Sequence, residues 1–231
     1  WREESTAEAK YLQEYVQGHG LPFHLKTLDV ESCEGNMEEE CRYERINFFC
    51  ATASQHSCQA VVTAHHGDDQ AETVLKRIFE GATLPKLGGM EKVTLWEGIE
   101  MWRPFLSVTK KEILSWLKKK NIEAFDDETN YDSAFLRGRM RSSLIPHLSK
   151  LFGKEITSTL GSIGEEASQL ALYLEEKLTI PSAVKGPWGA LYCCNEVRTL
   201  HPYERKYVIR EILRREEILP TRYSVEKIDV F

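Results

Sequence analysis

The 231-residue sequence contains no long run of apolar residues. A helix that spans a bilayer needs about 20 predominantly apolar residues in succession, and no stretch of the chain approaches that length. The N-terminal residues 1–4 are polar and acidic, which does not resemble a signal peptide. We therefore expect a cytoplasmic protein without membrane contact. Because the first residue is Trp rather than Met, we also expect the chain to be part of a longer translation product.

The sequence also lacks the cysteine spacing that is typical of metal sites. Its six cysteines form no C-x-x-C pair, and the adjacent Cys193 and Cys194 have poor chelating geometry. We therefore predict no zinc or iron–sulfur site, and we expect most of these thiols to be reduced.

The chain lacks the basic excess that is usual in nucleic-acid-binding proteins. Its formal net charge is −6, which by itself argues mildly against RNA. The charge is uneven, however, because residues 103–154 hold eleven Lys and Arg against six Asp and Glu. This distribution is compatible with one face that binds a polyanion and also with an ordinary solvated surface.

Helical and strand-like patterns alternate in the first part of the chain. Helices are predicted at residues 5–16, 37–54, 69–80 and 110–120, and strands at residues 23–28, 60–64 and 99–102. This alternation predicts an α/β fold with a parallel sheet covered by helices on both faces. From about Ser142 the apolar spacing becomes helical. We predict an α/β domain over residues 1–150 and a smaller, mainly helical domain over residues 151–231.

A cluster of polar side chains follows the apolar run 60–64, which predicts a strand buried on both faces. The cluster is His65-His66-Gly67-Asp68-Asp69-Gln70-Ala71-Glu72-Thr73. Open α/β sheets bind ligands where such a strand ends and a helix begins, and a helix N-terminus attracts phosphate. Carboxylates there can be mere helix caps, but two adjacent histidines add donors and metal ligands. The cluster indicates a site for a magnesium–nucleotide complex or an amine nucleophile rather than for zinc.

This cluster resembles the H-H-x-D-D-Q-x-E-T motif of the tRNA(Ile)-lysidine synthetase family, in the PP-loop ATP-pyrophosphatase superfamily. Further segments resemble the family's other motifs in the same order. They are Trp1-Arg2-Glu3-Glu4-Ser5 with Glu8 and Ala9, Cys41-Arg42 with Arg45, Arg103-Pro104-Phe105, Asp127-Glu128-Thr129-Asn130, and Arg137-Gly138-Arg139-Met140-Arg141 with residues 144–148.

The chain departs from the family pattern in two places. Gly138 stands where the family usually has Asn. The S-G-G-x-D-S loop that grips the ATP phosphates in this superfamily is absent from the sequence. We expect that loop to lie upstream of Trp1, together with the first strand and helix of the PP-loop domain. This chain alone is therefore expected to be inactive.

The resemblance implies an ATP-dependent ligase that acts on the wobble cytidine of a tRNA(Ile) with the anticodon CAU. In this family ATP adenylates the C2 oxygen of the base, and the ε-amine of free lysine then attacks C2 to give lysidine. ATP and Mg2+ are the implied cofactors, and tRNA(Ile) and lysine are the implied partners. The oligomeric state, including a homodimer, stays open.

The resemblance and the chemistry of the side chains assign roles within the cluster. His65, His66 and Asp68 are expected to contact the nucleotide, with Asp68 also a ligand of Mg2+. Asp69 and Glu72, three residues apart on one helical face, are expected to bind lysine.

Arginines are expected to supply the contacts to the nucleic acid. The family pattern places Arg45, with Arg42 as its partner, against the nucleotide or the adenylated intermediate. Arg137, Arg139 and Arg141 are expected to contact tRNA or the intermediate, with Arg137 and Arg141 on one helix face. An exposed, salt-bridged helix face is the equally weighted alternative for these three.

Two other functions are compatible with the sequence. A PP-loop tRNA thiolase also adenylates an anticodon-region cytidine, although such enzymes typically use C-x-x-C cysteines. A non-catalytic tRNA-binding remnant of a PP-loop domain would lack the phosphate loop, as this chain does.

Overall fold

The computed structural model describes residues 3–28, 37–122, 124 and 135–229. Its contacts divide the chain into two units, Trp1–Asp69 with Met90–Phe125 and Gln70–Gly89 with Asp126–Phe231. The predicted boundary between domains near residue 150 stays a prediction. Two of the segments that resemble family motifs fall wholly or partly outside the described residues, namely Trp1-Arg2 of the first segment and Asp127–Asn130.

The first unit contains a small sheet with the strand order β1-β3-β2. Strand β1 (Ala60–Val62) pairs in parallel with β3 (Ile99–Trp102), and β2 (Val93–Trp96) pairs antiparallel with β3. Its helices are α1 (Glu3–Gly18), α2 (Met37–Gln55), the start of α3 (Gly67–Phe79) and α4 (Lys110–Lys119). The predicted α/β architecture is confirmed, with a parallel pair at the strand that leads into the polar cluster.

Local hydrogen bonds explain why α4 begins where the sequence predicts. Thr109 is the N-cap, and its Oγ1 accepts from the backbone N of Glu112 at 3.2 Å. In return, Glu112 Oε2 accepts from the backbone N of Thr109 at 2.8 Å, which completes a capping box. Helix α1 begins at Glu3, two residues before the predicted start at residue 5.

Two strand predictions need correction. Residues 23–28 form no strand, because period-two alternation does not make a strand without a partner, and no described strand pairs with this segment. The 60–64 run is a strand only over β1, and it is not buried on both faces. The 60% exposure of the Val62 side chain shows that the face carrying it is not buried. Among the described strands β1 also lies at an edge of the sheet and pairs on one side only.

Strand β2 was not predicted from the sequence, although the turn that follows it contains a Gly typical of a β-hairpin. Glu97 and Gly98 connect β2 to β3 with φ angles of +47° and +82°. Two consecutive positive φ angles are typical of a type I′ hairpin turn, for which Gly at the second position is favoured.

The second unit is mainly helical. From Gln70 onward α3 belongs to this unit, and a short 3-10 helix covers Leu84–Gly88. The later helices are α5 (Leu136–Arg139), α6 (Ile145–Phe152), α7 (Ile156–Lys177), α8 (Asn195–Arg198), α9 (Pro202–Arg215) and α10 (Arg222–Asp229). A π-helical turn over Met140–Leu144 joins α5 to α6, and the hairpin β4 (Ala183–Gly186) and β5 (Gly189–Tyr192) follows α7.

The core of the second unit fixes the helix that carries the motif. Ala71, Val74 and Leu75 of α3 have the i, i+3, i+4 spacing of a helical apolar face, and they pack against Ile156 and Leu160 of α7. Full burial of a side chain such as Val or Leu stabilises a fold by about 1.5–3 kcal/mol. A second cluster joins the end of α7 to α8 and α9. Within the described parts of the chain, no helix has the length and apolar character of a membrane span.

Two glycines of α7 test this packing. A Cβ at Gly164 would lie 2.8 Å from Cγ2 of the fully buried Val74, whereas a Cβ at Gly161 would meet nothing within 4 Å. Gly164→Ala should lower the free energy of unfolding by about 1–3 kcal/mol through overpacking. Gly161→Ala should raise it by up to about 1 kcal/mol, because Ala is the better helix former. Urea denaturation measures both, and equal effects would contradict the close packing of α7 on α3.

Candidate functional site

The polar cluster lies at the carboxyl end of β1. The backbone N of Thr63 donates to the O of Trp102 at 2.9 Å, one residue beyond the end of β1. His65 and His66 follow, and α3 begins at Gly67, within two residues of Asp69 as predicted. The backbone N of Gly67 donates to the O of Val108 at 2.8 Å. A Cβ at Gly67 would lie 3.1 Å from that oxygen, so a residue without a side chain suits this close approach.

His66 is surrounded by the two carboxylates of the motif. Its Nδ1 lies 3.5 Å from Oδ2 of Asp68, and its Nε2 lies 3.5 Å from Oδ2 of Asp69. The same Asp69 oxygen accepts from the backbone N of His66 at 3.0 Å. Nδ1 of His65 lies 2.9 Å from Oγ1 of Thr63. The structure therefore brings His66, Asp68 and Asp69 together at the end of β1 and the start of α3.

Asp68 is held in its charged form. Its Oδ2 accepts from the backbone N of Lys110 at 2.7 Å. The contact with His66 is the main influence that keeps the pKa of this carboxyl below its ordinary value, and the bond from Lys110 adds to it against the opposite effect of partial burial. An ionised carboxylate at a helix N-terminus can accept further hydrogen bonds or a metal ion.

Glu72 has a different environment from the two aspartates. Its side chain is 2% exposed, and both of its oxygens accept from the guanidinium of Arg141. Arg141 Nη2 lies 3.1 Å from Oε2, and Nε donates to Oε1. This bidentate geometry is the strongest form of an Arg–carboxylate pair. The carboxylate expected to bind lysine is thus already bonded to an arginine expected to bind tRNA.

The other arginines of the prediction are exposed. Arg42 and Arg45 lie on α2, and Arg137 and Arg139 lie on α5. The prediction that Arg137 and Arg141 share one helix face stays a prediction. A π-helical turn begins at Met140, between the two arginines; Arg137 is exposed, and Arg141 is partly buried against Glu72.

Arg103 has no predicted role of its own, although the segment Arg103-Pro104-Phe105 resembles a family motif. The structure places this arginine directly after β3, at the sheet edge where the polar cluster begins. A basic residue between a strand and a proline was the available signal. Among the residues that the structure describes, no group of three or more His, Cys, Asp or Glu is arranged to hold a metal ion.

Comparison with known proteins identifies the family of this chain. Residues 1–148 match the PP-loop domain family. The tRNA(Ile)-lysidine synthase of Chlamydia trachomatis serovar A is 30% identical over 233 residues, which include 99% of this chain and 72% of that protein. The chain belongs to the tRNA(Ile)-lysidine synthase family. The family resemblance found in the sequence motifs is therefore confirmed.

Other members of the family are considerably longer than this chain. The tRNA(Ile)-lysidine synthase of Protochlamydia amoebophila is 35% identical over 229 residues, which are 98% of this chain and 50% of that protein. The synthase of Chlamydia pneumoniae is 38% identical over 178 residues, or 77% of this chain and 56% of that protein. The chain thus spans about half the length of these curated relatives.

A solved structure supports the PP-loop fold. The U34-tRNA thiolase NcsA from Methanococcus maripaludis, determined with its 4Fe–4S cluster, aligns with a TM-score of 0.50 and 14% sequence identity. The alignment covers 82% of this chain and 62% of the thiolase chain. At this identity the likeness extends to the fold alone.

Because the Glu72–Arg141 pair is buried, we expect substitution of Arg141 to have a large effect on stability. Arg141→Met should lower the free energy of unfolding by about 3 kcal/mol, because it leaves a buried carboxylate without its bidentate donor. Glu72→Leu combined with Arg141→Met should recover most of that loss, since no buried charge remains. Urea denaturation of both variants tests this.

The matched control is Lys76→Met on the same helix. Nζ of Lys76 lies 3.6 Å from Oε1 of Glu80, and the two side chains are 47% and 58% exposed. Breaking such a surface pair should cost about 1 kcal/mol or less. A loss for Arg141→Met no larger than the loss for Lys76→Met would contradict the assignment of a buried, energetically coupled pair.

Proposed function

We propose that the full-length protein joins free lysine to C2 of the wobble cytidine of tRNA(Ile) with the anticodon CAU. The C2 oxygen of the base attacks the α-phosphorus of ATP, and pyrophosphate leaves. The ε-amine of lysine then attacks C2, AMP leaves with the former C2 oxygen, and the amine loses a proton. The observation that carries this proposal is the placement of His66, Asp68 and Asp69 at one strand end in a chain of the tRNA(Ile)-lysidine synthase family.

On this proposal His65, His66 and Asp68 bind the nucleotide. Mg2+ is usually held in nucleotide sites by one or two carboxylates and by the substrate phosphates, without a full cage of protein ligands. The ionised Asp68 fits that mode, because its pKa is lowered and its Oδ2 is positioned by Lys110. Mg2+ would neutralise phosphate charge next to carboxylates that would otherwise repel it. The N-terminus of α3 adds backbone N–H groups that favour anions.

Asp69 is the proposed ligand of the lysine amine. Its side chain is 17% exposed, so a substrate ammonium could contact it while Oδ2 keeps its bond to the backbone of His66. Glu72 stays in the proposal as a second carboxylate for lysine. Arg141 occupies one acceptor position on each of its oxygens, and a carboxylate has about four in all. Because the Glu72 side chain is only 2% exposed, lysine could reach it only after the surrounding side chains move.

The exposed arginines are the proposed contacts to the nucleic acid. Arg42 and Arg45 would contact the nucleotide or the adenylated base, and Arg137 and Arg139 would contact tRNA. Arg141 is left out of this set because its guanidinium is bonded to Glu72. A thiolase is not proposed, because the relatives that share 30–38% identity are named tRNA(Ile)-lysidine synthases.

The reaction itself is directly testable. The full-length protein with ATP, Mg2+, labelled lysine and a tRNA(Ile) transcript carrying CAU should incorporate lysine and release one pyrophosphate per lysine. A transcript with U in place of the wobble C should accept none. Transfer of sulfur from a labelled donor, with no incorporation of lysine, would favour the thiolase over the ligase. Binding of tRNA without either transfer would favour a non-catalytic protein.

The role of Asp69 predicts a selective kinetic defect. Asp69→Asn keeps an oxygen for the backbone N of His66 but loses the charge that would hold an ammonium group. A hydrogen bond to a charged group contributes about 1.5–3 kcal/mol, so the KM for lysine should rise about 10- to 100-fold with little change in the KM for ATP. Glu80→Gln, near the other end of α3, is the control and should change neither constant. A raised KM for ATP with an unchanged KM for lysine would mean that Asp69 serves the nucleotide instead.

A further inference from the structure

Arg103 lies where the sheet is expected to bind ligands. Because β1 and β3 are parallel, their carboxyl ends share one edge of the sheet, with Val62 paired to Trp102. Arg103 is the first residue after β3, and Thr63 is the first residue after β1 and leads into the two histidines. Ligands of open α/β sheets bind at this edge. Arg103 is therefore a cation beside the strand end that carries the motif.

The side chain of Arg103 is held in a defined position. Its Nη1 donates to the backbone O of Glu91 at 2.9 Å and to Oγ1 of Thr94 at 3.0 Å, and its backbone N donates to the O of Lys92 at 2.8 Å. The Nε atom is buried and has no acceptor among the described residues. A guanidinium fixed on one side in this way can offer its remaining donors to a ligand with little loss of side-chain entropy.

A second arginine increases the positive charge at Arg103. Helix α2 packs against β1 and β3, and Arg42 is exposed on that helix. After burial, the charge of Arg42 is a cause that lowers the pKa of Arg103, against the opposing charge of Glu91. Two like charges in proximity repel each other, and an anion with several oxygens would relieve that repulsion. The planar guanidinium matches phosphate oxygens in geometry and stays charged at neutral pH.

We propose that Arg103 and Arg42 together bind a phosphate group at the carboxyl edge of the sheet, where β3 ends. Arg103 is the fixed member of the pair, and Arg42 is the exposed member that closes on the ligand. The inference rests on the proposed function only for the source of the phosphate, which is either the triphosphate of ATP or the backbone of the RNA. Binding of phosphate oxygens by guanidinium groups is the chemistry common to both.

A purely structural Arg103 is the alternative, in which it does no more than tie β2 to β3. Stability would then change on substitution, but anion affinity would not. Arg77 offers a matched control, because it is also partly buried and donates through Nη1 to a backbone oxygen, that of Lys86, at 2.9 Å. Arg77→Gln removes the same charge and a similar bond at a position outside the proposed site.

The experiment measures binding of pyrophosphate, of ATP and of a tRNA(Ile) anticodon stem–loop to the full-length protein by calorimetry. Arg42→Gln and Arg103→Gln should each weaken binding of at least one of these ligands about tenfold or more, as expected for a lost charge-assisted bond. Arg103→Lys should recover part of the loss, and Arg77→Gln should stay within about twofold of the wild type. Weaker binding of pyrophosphate and ATP identifies the triphosphate as the source. Weaker binding of the stem–loop alone, with a shallower salt dependence, identifies the RNA backbone.

The proposal is overturned if both glutamine variants bind all three ligands within about twofold of the wild type. It is also overturned if Arg77→Gln loses as much affinity as Arg103→Gln. If Arg103→Gln does not fold, Arg42→Gln decides the matter, because Arg42 is an exposed helix residue. Failure of the wild-type protein to transfer lysine would refute the proposed function and leave these binding results unaffected.

Discussion

The parallel pairing of β1 with β3 is the constraint on which the candidate site depends. It sets Val62 opposite Trp102, and the first residue after β1 continues the pairing with the bond from Thr63 to Trp102. Two further hydrogen bonds join the segments that follow β1 and β3: the backbone N of Gly67 donates to the O of Val108, and the backbone N of Lys110 donates to Oδ2 of Asp68. Residues about forty positions apart in the chain are thereby fixed at one sheet edge. Without this pairing, the histidines and Arg103 would have no common location.

The short acidic motif contains carboxylates with opposite physical situations. Asp68 and Asp69 lie in the first turn of α3, where backbone N–H groups, His66 and the N of Lys110 stabilise negative charge. Glu72 lies one turn further on, is almost fully buried, and is stabilised by Arg141. The first two are therefore suited to meet a ligand. The third combines a functional motif with a structural ion pair, whose loss would leave an uncompensated buried charge.

Net charge is a poor guide to the ligands of this protein. The chain carries a formal charge of −6, yet the edge of its sheet holds Arg103 and is influenced by Arg42. Electrostatic attraction of a phosphate depends on the charges within about one Debye length, roughly 8–10 Å at ordinary salt. Acidic residues elsewhere in the chain alter solubility and long-range steering, and they have little effect on such a local site.

The sequence by itself determined the features that rest on local interactions. The capping box at Thr109, the strand before His65 and the helix after His66 follow from side-chain type and spacing over a few residues, and the motif was sufficient to indicate the family. Only the tertiary structure decided that Glu72 pairs with Arg141, that β1 lies at an edge of the sheet among the described strands, and that Arg103 follows β3 at the same sheet edge where Thr63 follows β1. These features depend on which distant segments meet. A pattern in one segment carries no information about the partner that will face it.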